Sequence, residues 1–452
     1  MSTGNVEHPA MNGGRRSTRM QRRVQLSAYL GALVEWYDFF IYGFASAVVL
    51  NTLFFPELDP AVGTIAAFAT LAAGYLTRPL GALLFTHFGD RIGRARVLVI
   101  TLMMMGIAST LIGLLPTYDS IGIWAPLLLV ALRLLQGISA GGEYGGAVLL
   151  TVEHASDNRR GFAASFAQLG VFSGLLLANG VFIVASLLPD SVFLSWGWRV
   201  PFLASVVLIA IAAWVRSGVT ESPVFEEARD AKQLAKRPLV ELFRSQWRPL
   251  LVVVLLMFGV SSFSAFESSF ITAYAKLLGF TTTEALAMTL IGTVLGVIVL
   301  PLSALASDRV GRRPIVTIGV VLMIVAAALV FPALHAGSLI LAIVGVAALW
   351  VSHSSAFGPL AAWMSELFPT KSRFGGVSIG YQIGATAGSG LFPLIGASLL
   401  EVGGGVGNYG LVLGYVIVGV VVTLVGTRMA RETAHGTLAD SEETAPSPAN
   451  LV

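Results

Sequence analysis

Cysteine is absent from the 452 residues, and charge is scarce: Lys, Arg, Asp and Glu make up 12% of the chain, whereas 55% is hydrophobic. Without cysteine, disulfides and thiolate metal sites are excluded, and no His cluster offers a metal site in their place. A soluble domain carries about 25% charged residues. A chain with half that share and a mean hydropathy of +0.80 cannot cover its surface in water, so its natural solvent is lipid. A phosphate-binding Gly-rich loop is missing as well, which weighs against ATP hydrolysis. So is any nucleophile–base set, which weighs against a membrane-embedded enzyme. The N-terminal stretch is polar and Arg-bearing with no cleavage pattern after it, so no removable leader is expected. Cofactor, metal and nucleic-acid partners are not expected; the bilayer is, with the monomer as the working unit.

What is present is a series of apolar runs long enough to cross a bilayer as helices. They fall near 26–50, 62–86, 97–115, 122–146, 162–187, 198–215, 250–275, 284–306, 314–333, 338–362, 375–398 and 408–427. The expected fold class is therefore an all-α membrane protein of twelve transmembrane helices. Gly is abundant, with 49 residues, as closely packed membrane helices require. Of the 28 Lys and Arg, 24 fall in the two tails or in alternate loops; Arg199 and Lys276 are the exceptions among the loops. The positive-inside rule then places both termini in the cytoplasm. The organisation expected is a cytoplasmic tail (1–25), a six-helix bundle (26–215), a charged central loop (216–249), a second bundle (250–430) and a disordered tail (431–452). Within the loop, FEEARDAKQLAKR (225–237) has the composition of a surface helix.

The two halves repeat. GDRIGR (89–94) follows the second run of the first half, and SDRVGR (307–312) follows the second run of the other, 218 residues later. EHASDNRRG (153–161) and ELFPTKSRFG (366–375) repeat at an offset of about 213. Duplicated halves around a midplane site are a transporter architecture. Topology alone needs neither the acid nor the glycine of these charged turns. Asp90 and Asp308 can pair with arginines or meet a helix N-terminus, and Gly93 and Gly311 permit the tight turn. We therefore expect a latch of Asp90, Arg91, Arg94, Asp308, Arg309 and Arg312, working with Glu153, Arg159, Glu366 and Arg373 as an inner gate.

Charge inside the hydrocarbon is costly and marks function, and the first half holds nearly all of it. Glu35 and Asp38 share a helix face at i, i+3 near mid-membrane; two carboxylates so close cannot both ionise cheaply, which suits a proton carrier. Arg133 begins a polar stripe continued by Gln136 and Glu143. It is a partner for Asp38 or for a substrate carboxylate, which its guanidinium can grip with two hydrogen bonds. Arg78, just before Pro79, is open between substrate contact and a structural role, snorkelling to the surface or joining the Asp90 turn. In the second half the isolated ionisable groups are Glu267, an outer-gate group or a substrate ligand, and His353, a packing group or a proton relay that could also line the substrate site. Tyr37, Gln168, Asn179, Trp350, Trp363, Tyr381 and Gln382 are candidate cavity-lining residues, although any single aromatic is more simply read as packing.

The repeated D-R-x-G-R resembles the signature of the major facilitator superfamily. VEWYDFFIYG (34–43), TRPLGALLFTHFGDRIGR (77–94) and RLLQGISAGGEYGGAVLLTVEHA (133–155) are similar to the metabolite:H⁺ symporter family, whose members carry α-ketoglutarate, citrate, shikimate and proline/betaine. The resemblance covers roughly residues 26–430. It implies two pseudo-symmetric six-helix bundles, with Glu35 and Asp38 in the signature and Arg133 in a motif tied to proton coupling. Thr86 and Ala304 stand where many members have Gly, which implies looser helix packing there. The function expected is proton-coupled symport of a small organic acid anion or zwitterion across the cytoplasmic membrane by alternating access. The alternative is a proton-coupled antiporter exporting drug-like compounds.

Overall fold

The computed structural model describes residues 13–221 and 238–436 together with Glu226 and Leu438. These residues form twelve long helices: α1 (Gly13–Val48), α2 (Pro60–Ile92), α3 (Arg94–Leu114), α4 (Trp124–Glu153), α5 (Arg160–Ser186) and α6 (Arg199–Arg216), then α7 (Trp247–Leu277), α8 (Thr282–Val310), α9 (Arg312–His335), α10 (Leu339–Glu366), α11 (Thr370–Val402) and α12 (Gly410–Met429). Eleven of them are long and apolar enough to cross a membrane. The exception, α1, carries Glu35, Trp36, Tyr37, Asp38 and Tyr42 through its central stretch. The chain is a multi-pass membrane protein, and apolar side chains such as Ile65, Leu84, Val207, Leu302 and Val418 point outward from the bundle, where lipid solvates them.

Each helix covers one of the twelve apolar runs, and α2 and α8 overrun theirs at the charged turns. They continue until Gly93 and Gly311, whose φ of 94° and 120° lies where a side chain would clash. Glycine also sets the helix spacing. A Cβ on Gly137 or Gly141 would come within 2.1 or 2.2 Å of carbonyl oxygens of Gly74 and Arg78, so α4 lies directly on α2. Gly170 and Gly174 bring α5 onto α1 in the same way, and Gly358 brings α10 onto α8.

The looseness expected at Thr86 and Ala304 is not found. Both are buried, and the glycine stands on the opposing helix: a Cβ on Gly375 would meet Thr86 Cγ2 at 2.6 Å, and one on Gly161 would meet the Ala304 carbonyl at 2.9 Å. The small residue has changed sides of the contact.

The halves meet along α5 against α8 and α10, and along α11 against α2 and α4; one apolar core runs through both. Two outer segments differ from expectation. Helix α1 begins at Gly13, inside the stretch assigned to the tail. Residues 431–436, also assigned to a tail, lie against the charged turns: Glu432 accepts from the backbone N–H of Arg312 and Arg313 at 2.9 Å each, and Trp363 Nε1 donates to the Arg431 carbonyl at 2.8 Å. The 225–237 stretch lies outside the described residues except Glu226; the helix that ends this loop is Pro238–Ser245.

Candidate transport site

Asp38 is 1% exposed, in mid α1. Ser109 Oγ of α3 donates to one carboxylate oxygen and Ser205 Oγ of α6 donates to the other at 2.5 Å. Gln136 Nε2 of α4 donates to Ser109 Oγ at 2.7 Å, and Arg133 Nη1 donates to Gln136 Oε1 at 2.7 Å. The expected Asp38–Arg133 pair is therefore a relay through an amide and a hydroxyl. Arg133 lies flat over the Tyr42 ring, 3.8 Å from its centroid, a favourable cation–π arrangement. Its buried Nε has no hydrogen-bond partner among the described residues.

Glu35 does not compete with Asp38 as their i, i+3 spacing suggested. The two positions are about 60° apart on the helix wheel, enough to send Glu35 toward α2 and Asp38 toward α3 and α6. Glu35 pairs with Arg78 at 3.4 Å, and both side chains are buried. Arg78 neither snorkels nor joins the charged turn. Its guanidinium sits among Trp36, Phe39 and Tyr75, with ring centroids at 5.3, 5.2 and 4.8 Å. Glu35, Arg78, Arg133 and Gln136 line one small cavity with Phe39, Met105 and the glycines of the α2–α4 contact. Those glycines are why two arginines of different helices reach the same space. Glu143, next in the stripe, is held apart by Arg216 and accepts from Thr101 Oγ1 at 2.9 Å.

A second cavity lies between the halves, lined by Trp36, Tyr75, Phe172, Ser261, Ser264, His353, Phe357, Tyr381 and Ser389. His353 Nδ1 is 2.5 Å from Glu267 Oε1. Glu267 sits in a π-helical turn of α7, Phe266–Phe270, a distortion frequent at functional positions. Gln382 bridges the halves through the Ala140 carbonyl at 3.1 Å, and Tyr381 stacks on Tyr144 at 3.6 Å. Other candidates lie elsewhere. Tyr37 is fully buried and donates to the Pro201 carbonyl at 2.8 Å, tying α1 to α6. Trp363 belongs to the charged end. Gln168 and Trp350 are buried, Trp350 edge-on to Phe172 at 5.3 Å, and Asn179 is half-buried farther along α5.

At the charged end the duplication becomes a twofold network. Arg94 grips both oxygens of Glu153 at 2.5 Å, and Arg373 of the other half approaches the same carboxylate at 3.3 Å. Correspondingly, Arg312 meets Glu366 at 3.0 Å, and Arg160 of the opposite half lies 3.5 Å away. Asp308 accepts from the backbone N–H of Gly161 and Phe162 at 2.8 and 2.9 Å, at the N-terminus of α5, where the helix dipole favours an anion. Two expected gate residues stand outside: Arg159 and Arg309 are exposed and have no ion pair among the described residues. The side chains of Asp90 and Arg91 lie outside the described residues. Sequence reading chose Arg159 although Arg160 aligns with Arg373 at the same offset, 213, that aligns Glu153 with Glu366. Ser109 and Ser205 carried no signal, since a membrane helix uses serine in many roles. The bonds between halves run from this end up to Tyr75, whose hydroxyl is 3.4 Å from Ser389 Oγ and whose carbonyl accepts from Thr386 at 3.2 Å.

The model of the Major Facilitator Superfamily matches residues 28–379, and the chain belongs to that superfamily. Among its relatives, the shikimate transporter of Escherichia coli (strain K12) is 39% identical over 86% of this chain and 90% of its own length. The proline/betaine transporter of the same strain is 34% identical over 84% and 78%. These relatives agree with the resemblance to the metabolite:H⁺ symporter family. The structure of the proton:xylose symporter XylE bound to 6-bromo-6-deoxy-D-glucose superposes with a TM-score of 0.77 at 20% identity, over 94% of this chain and 99% of that one; it supports the fold. The protein is a secondary transporter.

Proposed function

We propose that the chain is a proton-coupled symporter of a small carboxylate-bearing metabolite, an anion or zwitterion, and not an enzyme. It would lie in the cytoplasmic membrane with its charged turns and both termini on the cytoplasmic side, as the Lys and Arg distribution suggests. The observation that carries this reading is the relay Arg133–Gln136–Ser109–Asp38–Ser205 beside a cavity that holds two guanidiniums. The relatives named for shikimate and for proline/betaine take substrates that all bear a carboxylate.

The chemistry follows from donor counting. Ionised, Asp38 accepts from both serines, and Ser109 accepts from Gln136 in turn. A proton on Asp38 makes one of its oxygens a donor, so a serine hydroxyl must turn away and find another acceptor. That disturbs Gln136, and with it the one side-chain bond that fixes Arg133. Arg133, whose Nε is unpartnered, and Arg78 are then placed to receive a carboxylate in the cavity. Substrate and proton together neutralise the buried charge, which lowers the cost of moving the site past apolar walls. The twofold network at the charged end holds that end closed, so the next step is its release.

The test is reconstitution in proteoliposomes with a panel of monocarboxylates, dicarboxylates, hydroxylated cyclic acids and betaines. Symport predicts accumulation driven by an inward proton gradient, and alkalinisation of the external medium when substrate is added without one. Acidification instead would indicate antiport, and no response to any carboxylate would remove Arg133 and Arg78 from the site.

A further inference from the structure

Glu267 and His353 form a buried ionisable pair that the relay does not use. Glu267 of α7 is fully buried and His353 of α10 is 2% exposed. Their contact, 2.5 Å from Nδ1 to Oε1, is closed in by rings. Phe357 stacks on the imidazole at 5.3 Å, Phe263 lies at 6.1 Å, and Phe172 of α5, in the opposite half, lies at 5.9 Å. The second carboxylate oxygen, Oε2, is buried with no hydrogen-bond partner among the described residues. A pair serving packing alone is poorly made in this way: apolar residues of similar volume are often at least as stable as a buried ion pair, and an orphaned acceptor adds cost.

With one proton between them, carboxylate and imidazole are neutral as a unit, whichever atom holds it. Removing that proton leaves a net negative charge on the pair; adding a second leaves a net positive charge. Both changes are expensive in an apolar surround and cheaper beside water. His353 lines the cavity between the halves, and the ring that covers it from the other side, Phe172, belongs to the half that must move when the protein changes its opening. We propose that the Glu267–His353 pair is a second proton-binding site of the carrier, exchanging with the cavity when Phe172 moves off the imidazole. The inference rests on the reading of the chain as a proton-coupled transporter.

Other ionisable groups are poorly placed for this role. Of those on the elements packed around the pair, Tyr381 shares its cavity, as does Tyr75 of α2. Arg160, Arg248, Asp308, Arg312 and Glu366 stand at the charged ends of their helices. Tyr274, Lys276, Glu284, His335 and Glu401 stand toward the opposite ends. Tyr274 and His335 are bonded to each other at 2.8 Å.

The experiment needs no substrate. The full chain in lipid nanodiscs is titrated between about pH 5 and about pH 9, the range in which imidazoles and shifted carboxyls change state, and carboxyl bands are followed by infrared difference spectroscopy. Among the carboxyl transitions in this range, Asp38→Asn should remove one and Glu267→Gln another. His353→Gln, which leaves Glu267 in place, should displace the midpoint of the Glu267 transition by about one pH unit or more. Phe172→Ala should displace the same midpoint alone. Should Glu267→Gln yield no folded protein, the His353→Gln and Phe172→Ala displacements decide the matter. A spectrum unchanged by Glu267→Gln or by His353→Gln overturns the second site, and loss of the Asp38 transition in the same set would leave the primary reading standing. An unmoved midpoint in Phe172→Ala overturns the exchange route.

Discussion

The two halves of this transporter are alike at one end and unlike in the middle. At the charged end each half supplies an arginine and a glutamate, Arg94 with Glu153 and Arg312 with Glu366, and each glutamate also faces an arginine from the other half. Even the caps repeat. Glu221 accepts from the backbone N–H of Ala95, and Glu432, 211 residues later, accepts from those of Arg312 and Arg313. In the middle, α1 to α6 hold Glu35, Asp38, Arg78, Arg133 and Glu143, whereas α7 to α12 hold Glu267 and His353. The repeat is thus kept where the halves pair with each other and not where each buries charge of its own.

The comparison can be broken at several points, in descending order of effect. Glu35→Gln leaves Arg78 buried with no anionic partner, and removing one member of a buried pair costs about 3–5 kcal/mol. Thermal unfolding in detergent should register this, and the double variant with Arg78→Gln should recover part of it. Arg160→Ala removes the crossing arginine from Glu366 and should make a cysteine probe near the charged turns reactive, a measurement simplified by the absence of native cysteine. Arg159→Ala should leave reactivity unchanged. Equal effects would undo the pairing of the repeats.

A subtler break is at Glu432. Burial disfavours its charge, but four backbone N–H groups, from Arg312, Arg313, Thr433 and Ala434, hold its carboxyl below the ordinary glutamate range. A lowered value means that its contribution is complete above the unfolded value, about 4.3, and fades as pH falls through the folded one. Glu432→Gln should therefore lower the melting temperature at about pH 7, by a margin that shrinks as pH falls below the ordinary glutamate value of about 4.3. Least affected should be Glu241→Gln: its pair with Lys371 is partly exposed, and such pairs contribute about 0–1 kcal/mol.

Much of this was legible in the sequence. Twelve apolar runs, the repeated turns and the buried charges in α1 and α4 follow from solvation alone. What escaped was direction. Glu35 and Asp38 looked like one site because spacing along a helix does not show which neighbour each side chain meets. Arg78 was ambiguous because its aromatic box draws on Trp36 and Phe39 of α1 as well as Tyr75. Ser109 and Ser205 were invisible because a hydroxyl becomes a site residue only through the carboxylate that two other helices bring to it. Arg159 was preferred to Arg160 although the repeat offset already favoured the latter.

The claim on which the rest depends is that Asp38 carries the coupled proton. The direct measurement is uptake and counterflow in proteoliposomes for wild type and Asp38→Asn, with the best substrate from the panel. The account predicts that Asp38→Asn abolishes accumulation driven by an inward proton gradient while counterflow exchange persists. Gradient-driven accumulation at the wild-type level in Asp38→Asn would contradict it.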